Sequence, residues 1–394
     1  MRTARVVIPV ILLITTLLAA SASYAAVPRG SSFACDSLHH RVSVELRPAY
    51  NIVSHYAMHD GERPLNSAMS FHLRYAFSFS PDSRIGRLYP TAYQGVGIAT
   101  YTFWSHPTTG TPTTAYIMQG GRIANLGDNL SLGYEWNLGV SWGWHPNEAM
   151  NSRCNVMINV ALPLSWRVAP HWELQLTPDF THFSDGDTHF SNSGANLFGV
   201  RLGVAYMFDT ERVEADAARY IMPSEELTRG SFADHMSYDV MLYGGWRADR
   251  FTDDTGFHVV DEAMPVAGVN FQPHYHLNRY FAVGVSLDVQ YDSSLNLYDA
   301  VVDNYGEVID YSRPPLWQQM EVGLSLRAEI EAPIFSVGAG IGVNMLSTGY
   351  DSSLMYATFS LKAFLTQRLF LYVGYRFNST QYTHNMMYGV GVRF

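Results

Sequence analysis

The chain predicts an all-β fold, an antiparallel transmembrane β-barrel, and three observations carry that expectation. Aromatic residues make up 14% of the 394 residues and charged residues only 15%, whereas a soluble domain carries about 25% charged residues. Past the N-terminal leader no stretch approaches the roughly 20 consecutive apolar residues of a transmembrane helix. The apolar and aromatic residues instead recur at every second position, which is the period of a strand with one greasy face. A membrane can be spanned without helices only by a closed barrel, because every backbone donor and acceptor must be paired inside the bilayer.

The first segment reads as a secretory signal peptide over residues 1–25. Arg2 and Arg5 precede the apolar run Val6 to Leu18, and small residues follow at Ala20, Ala22, Ser23 and Ala25. Such a leader is removed on export and takes no part in the fold. Cys35 stands too far past the apolar run to serve as a lipidation site. The formal charge is −10, and loss of Arg2 and Arg5 makes the exported chain about −12. This acidity, with no basic stripe, excludes nucleic acid as a partner.

Strands then follow in two sets. The first lies at 42–54, 67–79, 93–104, 114–126, 130–145, 155–169, 172–184 and 197–208, and the second at 237–248, 263–276, 280–293, 319–331, 335–346, 353–365, 369–379 and 385–394. Each is close to the roughly 9–11 residues of a tilted membrane-crossing strand. Connectors alternate between short (127–129, 170–171, 277–279, 366–368) and long (55–66, 146–154, 185–196, 249–262, 294–318). Outer-membrane barrels alternate in this way, with short periplasmic turns and long outer loops. Only the inner connector 80–92 is longer than the pattern allows.

Strand 197–208 sets Phe198, Val200, Leu202, Val204, Tyr206 and Phe208 against Gly199, Arg201, Gly203 and Ala205. The last strand repeats the design, with Met386, Tyr388, Val390, Val392 and the terminal Phe394 against Gly389, Gly391 and Arg393. A barrel-closing strand therefore occurs once mid-chain and once at the end. This predicts two tandem eight-stranded units, 38–208 and 237–394, joined by a polar periplasmic linker at 209–236. Inner turns are normally short, which favours a linker there over a turn within one barrel. The alternative is a single barrel of about sixteen strands.

The strand at 172–184 carries chemistry. Its even positions read Trp172, Leu174, Leu176, Pro178, Phe180, His182 and Ser184, while Glu173, Gln175, Thr177, Asp179 and Thr181 point the other way. The apolar face thus ends in a base and a nucleophile two residues apart. Counted from a periplasmic N-terminus, this seventh strand runs outward, so the pair lies at its outer end and faces lipid. A His and a Ser at a barrel rim are more often mere interfacial polar residues, and the pair needs further support.

That support is the segment His182, Ser184, Asn192 and Gly194, which resembles the motif of the PagL-type lipid A 3-O-deacylases: His-x-Ser-Asn, an Asn ten residues after the His, then Gly, then a Glu fourteen after it. The stretches Arg84–Gly95 and Tyr134–Asn137 are similar to this family as well, and the resemblance spans about residues 40–210. It implies an outer-membrane serine esterase that cleaves an ester-linked acyl chain from lipopolysaccharide, with no cofactor and no metal. His182 would be the base, Ser184 the nucleophile, and Asn192 with a backbone N–H near Gly186 the oxyanion donors. Two positions depart from the motif: Asp185 follows the serine in place of Asn, and Asn196 stands where the family has Glu. Asn can orient a histidine but stabilises its imidazolium less than a carboxylate does. Asp185 and Asp187 are the alternative acids.

In the second unit, aligning lipid faces pairs Phe180 with Tyr375, His182 with Phe377 and Ser184 with Ser379, so this half is expected to lack the base and to be catalytically degenerate. The competing function is a non-enzymatic barrel, structural or a small-solute porin; a weaker third is an adhesin-like barrel with acidic outer loops. Cys35 and Cys154 are expected to be free thiols, held apart by the bilayer.

Overall fold

The computed structural model describes residues 38–52, 59–60, 63–80, 83–147, 150–186, 194–208, 232–253, 256–303, 308–349, 351, 353–378 and 384–394. The proposed leader, Cys35 and the linker segment 209–231 lie outside the described residues. The chain divides into two compact units, each built around its own ring of antiparallel strands.

The N-terminal unit contains β1 (Leu38–Asn51), the two-residue strands β2 (His59–Asp60) and β3 (Arg63–Pro64), β4 (Ser67–Phe79), β5 (Ala92–Thr102), β6 (Gly110–Asn125), β7 (Leu130–Trp144), β8 (Cys154–Ala161), β9 (Leu164–Ala169), β10 (Trp172–Ser184) and β11 (Ala195–Met207). β11 pairs with β10 on one side and β1 on the other, which closes the ring. The strand expected at 155–169 is interrupted between β8 and β9. Pro163 has no N–H to donate, and Pro178 faces this gap on β10, so two ladder bonds cannot form. The register is nevertheless the same on both sides of the gap: Asp179 faces Ala161 and Leu176 faces Leu164. β8 and β9 therefore act as one strand, and the ring has the predicted eight.

The over-long inner connector is folded on itself. Residues Arg84–Leu88 form one helical turn whose N-cap Ser83 accepts from the Gly86 N–H at 2.9 Å, so that donor needs no partner from the sheet.

Along β10 the lumen side is buried and the apolar side exposed, in strict alternation from Trp172 to Leu176. The lumen is crossed by ion pairs. Arg47 binds Asp179 at 2.5 Å, Arg201 binds Glu135 at 2.9 Å and Asp179 at 3.0 Å, and Arg74 bridges Glu45 and Glu135. Towards the end of β10 that carries Ser184, the rings of Tyr101, Phe103, Trp144 and Phe183 pack edge to face or tilted into a plug. This barrel is filled by its side chains, as a narrow eight-stranded ring must be.

The C-terminal unit is a closed barrel of β12 (Met236–Asp253), β13 (Gly256–His276), β14 (Phe281–Asp292), β17 (Met320–Glu331), β18 (Phe335–Leu346), β19 (Met355–Phe364), β20 (Leu369–Asn378) and β21 (Asn385–Arg393). Each set of eight closes on itself, so the sixteen-stranded alternative is not the arrangement formed. Two connectors differ from expectation. The long loop placed at 249–262 is largely strand, because β12 and β13 run on to pair Asp253 with Gly256, past a bulge between Arg247 and Asp249. At 18 and 21 residues these strands exceed what a bilayer crossing needs. The 294–318 connector holds a small hairpin, β15 (Tyr298–Val302) with β16 (Val308–Ser312). This lumen is filled too: Lys362 binds Asp239 at 2.7 Å and also Glu329, Arg327 binds Asp288 at 3.0 Å, and Arg376 binds Glu321 at 3.2 Å.

Candidate active site

His182 and Ser184 lie at the end of β10, on its outward-facing side, both half-buried. The β10–β11 ladder sets His182 directly opposite Asn196. Their side chains meet: His182 Nδ1 lies 2.8 Å from Asn196 Oδ1. A carboxamide oxygen can only accept, so Nδ1 carries the proton and Nε2 keeps its lone pair. That is the tautomer a general base needs. The spacing of fourteen residues between them is the length of a hairpin excursion that brings one strand back beside the other.

The other sequence-predicted residues fall into two groups. Asp185 is fully buried one residue beyond the strand, and Gly186 follows with a positive φ of 69°. Asn192 and Asp187 lie outside the described residues. Gly194, matched in the sequence only as a motif position, has a physical role that spacing alone does not reveal. Its φ is +70°, and a Cβ there would stand 2.5 Å from the Phe183 carbonyl oxygen and 2.9 Å from His182 Cε1. Only glycine lets the hairpin return so close to the imidazole.

The walls around the pair are apolar. Ile158 faces His182 and Val156 faces Ser184 across the β8 ladder. Ile158, Val160, Phe180 and Phe198 are exposed on the same outer surface. An acyl chain could lie along this surface with its ester at the polar end.

A second Ser–His contact exists in the same unit, and sequence reasoning passed over it. Ser70 Oγ lies 2.9 Å from His72 Nε2, whose Nδ1 is 3.1 Å from Tyr116 Oη. All three are buried in the lumen, where no lipid ester can reach them.

In the C-terminal unit Phe377 is exposed on β20 where the base would stand. Its ring packs on Tyr375 and His384, with centroids 4.5 and 5.6 Å away. Ser379 lies outside the described residues. Asp239, His274 and Glu329 bring ligand-type atoms within 4.8 Å of one another, but the Lys362 ammonium, bonded to both carboxylates, holds the place a cation would take.

Two closed rings with ionic interiors and greasy outer walls define an outer-membrane-type β-barrel protein, here with a polar pair set into one outer wall. Residues 42–205 match the family model described as lipid A 3-O-deacylase (PagL), and residues 236–394 match the one described as acyloxyacyl hydrolase, C-terminal domain. The chain belongs to the PagL family. Among solved structures it is similar to Neisserial surface protein A (15% identity, 43% of this chain and 97% of that one, TM-score 0.29). It is also similar to Omp33 of Acinetobacter baumannii (8%, 90% and 98%, 0.16) and to a mutant of the TodX monoaromatic hydrocarbon channel (10%, 92% and 90%, 0.17). No curated protein matches the chain.

Proposed function

We propose that this protein is a serine esterase of the bacterial outer membrane that removes an ester-linked acyl chain from lipid A. The observation that carries the reading is the His182–Asn196 hydrogen bond, which fixes the base in its working tautomer beside a serine on a lipid-facing wall. Ser184, a weak nucleophile unaided, attacks the ester carbonyl while His182 Nε2 takes its proton. The oxyanion of the tetrahedral intermediate is held by Asn192 and a backbone N–H near Gly186. Collapse expels the sugar hydroxyl, reprotonated by His182, and leaves an acyl-serine that water hydrolyses by the same route in reverse roles. Asn196 in place of the family's Glu lowers the rate and leaves the reaction class unchanged, because orientation survives while charge stabilisation is reduced.

The same reading assigns residues 1–25 to an export signal and 209–236 to a periplasmic linker. It makes the second unit a non-catalytic barrel, since Phe377 cannot act as a base. A porin function finds no support in lumens crossed by Arg47–Asp179 and Lys362–Asp239 pairs. Mass spectrometry of lipid A from cells with and without the protein tests the proposal. A loss of one acyl mass that depends on Ser184 is expected; identical lipid A in both strains would sink it.

A further inference from the structure

The end of the N-terminal barrel opposite His182 holds a cavity of about 190 Å³. Its charged lining is uneven. Arg41, Arg122 and Arg167 face it, with Glu173 the one carboxylate among its lining residues. Strand alternation aims all three guanidiniums inward: Arg41 shares a face with Glu45 and Arg47, Arg122 with Tyr116 and Met118, and Arg167 with Ser165. Arg41 lies 3.3 Å from Glu173, whose Oε1 also accepts from Gln175 at 2.9 Å. Glu173 is therefore already shared. Arg41 Nε is buried without a hydrogen-bond partner. The Arg122 guanidinium makes no hydrogen bond or ion pair among the described residues, although burial, like charge from Arg167 and the opposite charge of Glu173 all act on it.

Converging like charges with unfilled donors cost stability unless an anion joins them. We infer that this mouth is a binding site for a phosphate group. Three guanidiniums against one carboxylate leave two positive charges, which matches the −1.5 to −2 of a phosphate monoester near neutral pH. Guanidinium forks present paired donors to such oxygens, and the hydroxyls of Ser131 and Ser165 line the same wall. The volume sets the size of the ligand. Ordinary small-molecule pockets enclose about 300–1,000 Å³, so this one takes a phosphate with a small substituent and not an acyl chain. The phosphate could come from solution or from a phospholipid headgroup.

The test is calorimetric titration of inorganic phosphate into the full-length protein in a zwitterionic detergent, with chloride holding ionic strength constant. Saturable one-site binding is expected, weakened about tenfold or more by Arg122→Gln, a change on the scale of one charge-assisted hydrogen bond. Ser184→Ala should bind phosphate as the wild type does, which separates this site from the esterase reading. Repeating the titration in phosphatidylcholine nanodiscs with and without phosphatidylglycerol distinguishes the sources. Phosphate binding in both supports a soluble ligand, and binding suppressed only by phosphatidylglycerol supports a headgroup. Absence of saturable binding in detergent, or equal affinity in a folded Arg122→Gln variant, overturns the inference.

Discussion

His182 and Asn196 face each other across the β10–β11 ladder, with Nδ1 donating to Oδ1 at 2.8 Å. The contact is between cross-strand neighbours, the closest relationship two side chains on one face of a sheet can have. Asn196 is thus positioned against His182 by backbone pairing and does not depend on the conformation of the intervening loop. It also leaves Nδ1 occupied, so another acid must displace Asn196 or act from elsewhere.

Ser184→Ala and His182→Ala should each lower deacylation by at least about 10³-fold while a heat-modifiable barrel still assembles in the membrane. Neither side chain belongs to the ion-pair network that fills the lumen. Activity near wild type in either variant would remove the serine-esterase mechanism.

Asn196→Glu restores the family's acid at a position already in hydrogen-bond contact with the base. Turnover should rise about tenfold or more as the imidazolium gains a counter-charge. Assayed beside it, Asp185→Asn and Asp187→Asn should change little. A large loss in either, with Asn196→Glu neutral, would move the acid role to that aspartate.

Gly194→Ala should impair catalysis more than folding. The new methyl group meets the His182 ring and the Phe183 carbonyl, and the residue must hold φ +70°, a conformation costing an L-residue about 1–2 kcal/mol. Displacing the imidazole by part of an ångström is expected to cost about 10²-fold in rate. An active Gly194→Ala enzyme would show that the ring does not need its observed position.

Asp179→Ala should be among the most destabilising single changes in the N-terminal barrel. Asp179 serves both Arg47 and Arg201, and its removal strands buried positive charge at a cost of about 3–5 kcal/mol. Urea unfolding in detergent would register this as a lowered midpoint. A shift under about 1 kcal/mol would mean that water or a neighbouring carboxylate compensates.

Cys154 is a buried free thiol, and Cys35 lies outside the described residues. Peptide mapping under non-reducing conditions should find no bridge between them, since disulfide Cα atoms approach within about 7 Å. A Cys35–Cys154 peptide would place both on the same side of the membrane and shift the strand count by one.

Period-two patterning was enough to locate the barrel, its two rings and the face carrying His182 and Ser184, because in a membrane barrel each side chain has only two directions and two solvents to choose between. The repeat of a closing strand at 197–208 and 385–394 likewise announced the division into units. Loops were less legible. The 249–262 segment is largely polar, yet residues 249–253 and 256–262 continue β12 and β13, because backbone pairing extends a hairpin where no alternation of side chains announces it.

What the tertiary structure alone decided is which residues meet across strands. Composition cannot tell that Arg74 bridges Glu45 and Glu135, that Lys362 sits among Asp239 and Glu329, or that Arg41, Arg122 and Arg167 converge at one mouth. These contacts join residues tens to more than a hundred positions apart, through ring closure and register. Asn196 shows the division most clearly. In the sequence it is a departure fourteen residues from a histidine; in the folded chain, antiparallel pairing makes it that histidine's hydrogen-bond partner.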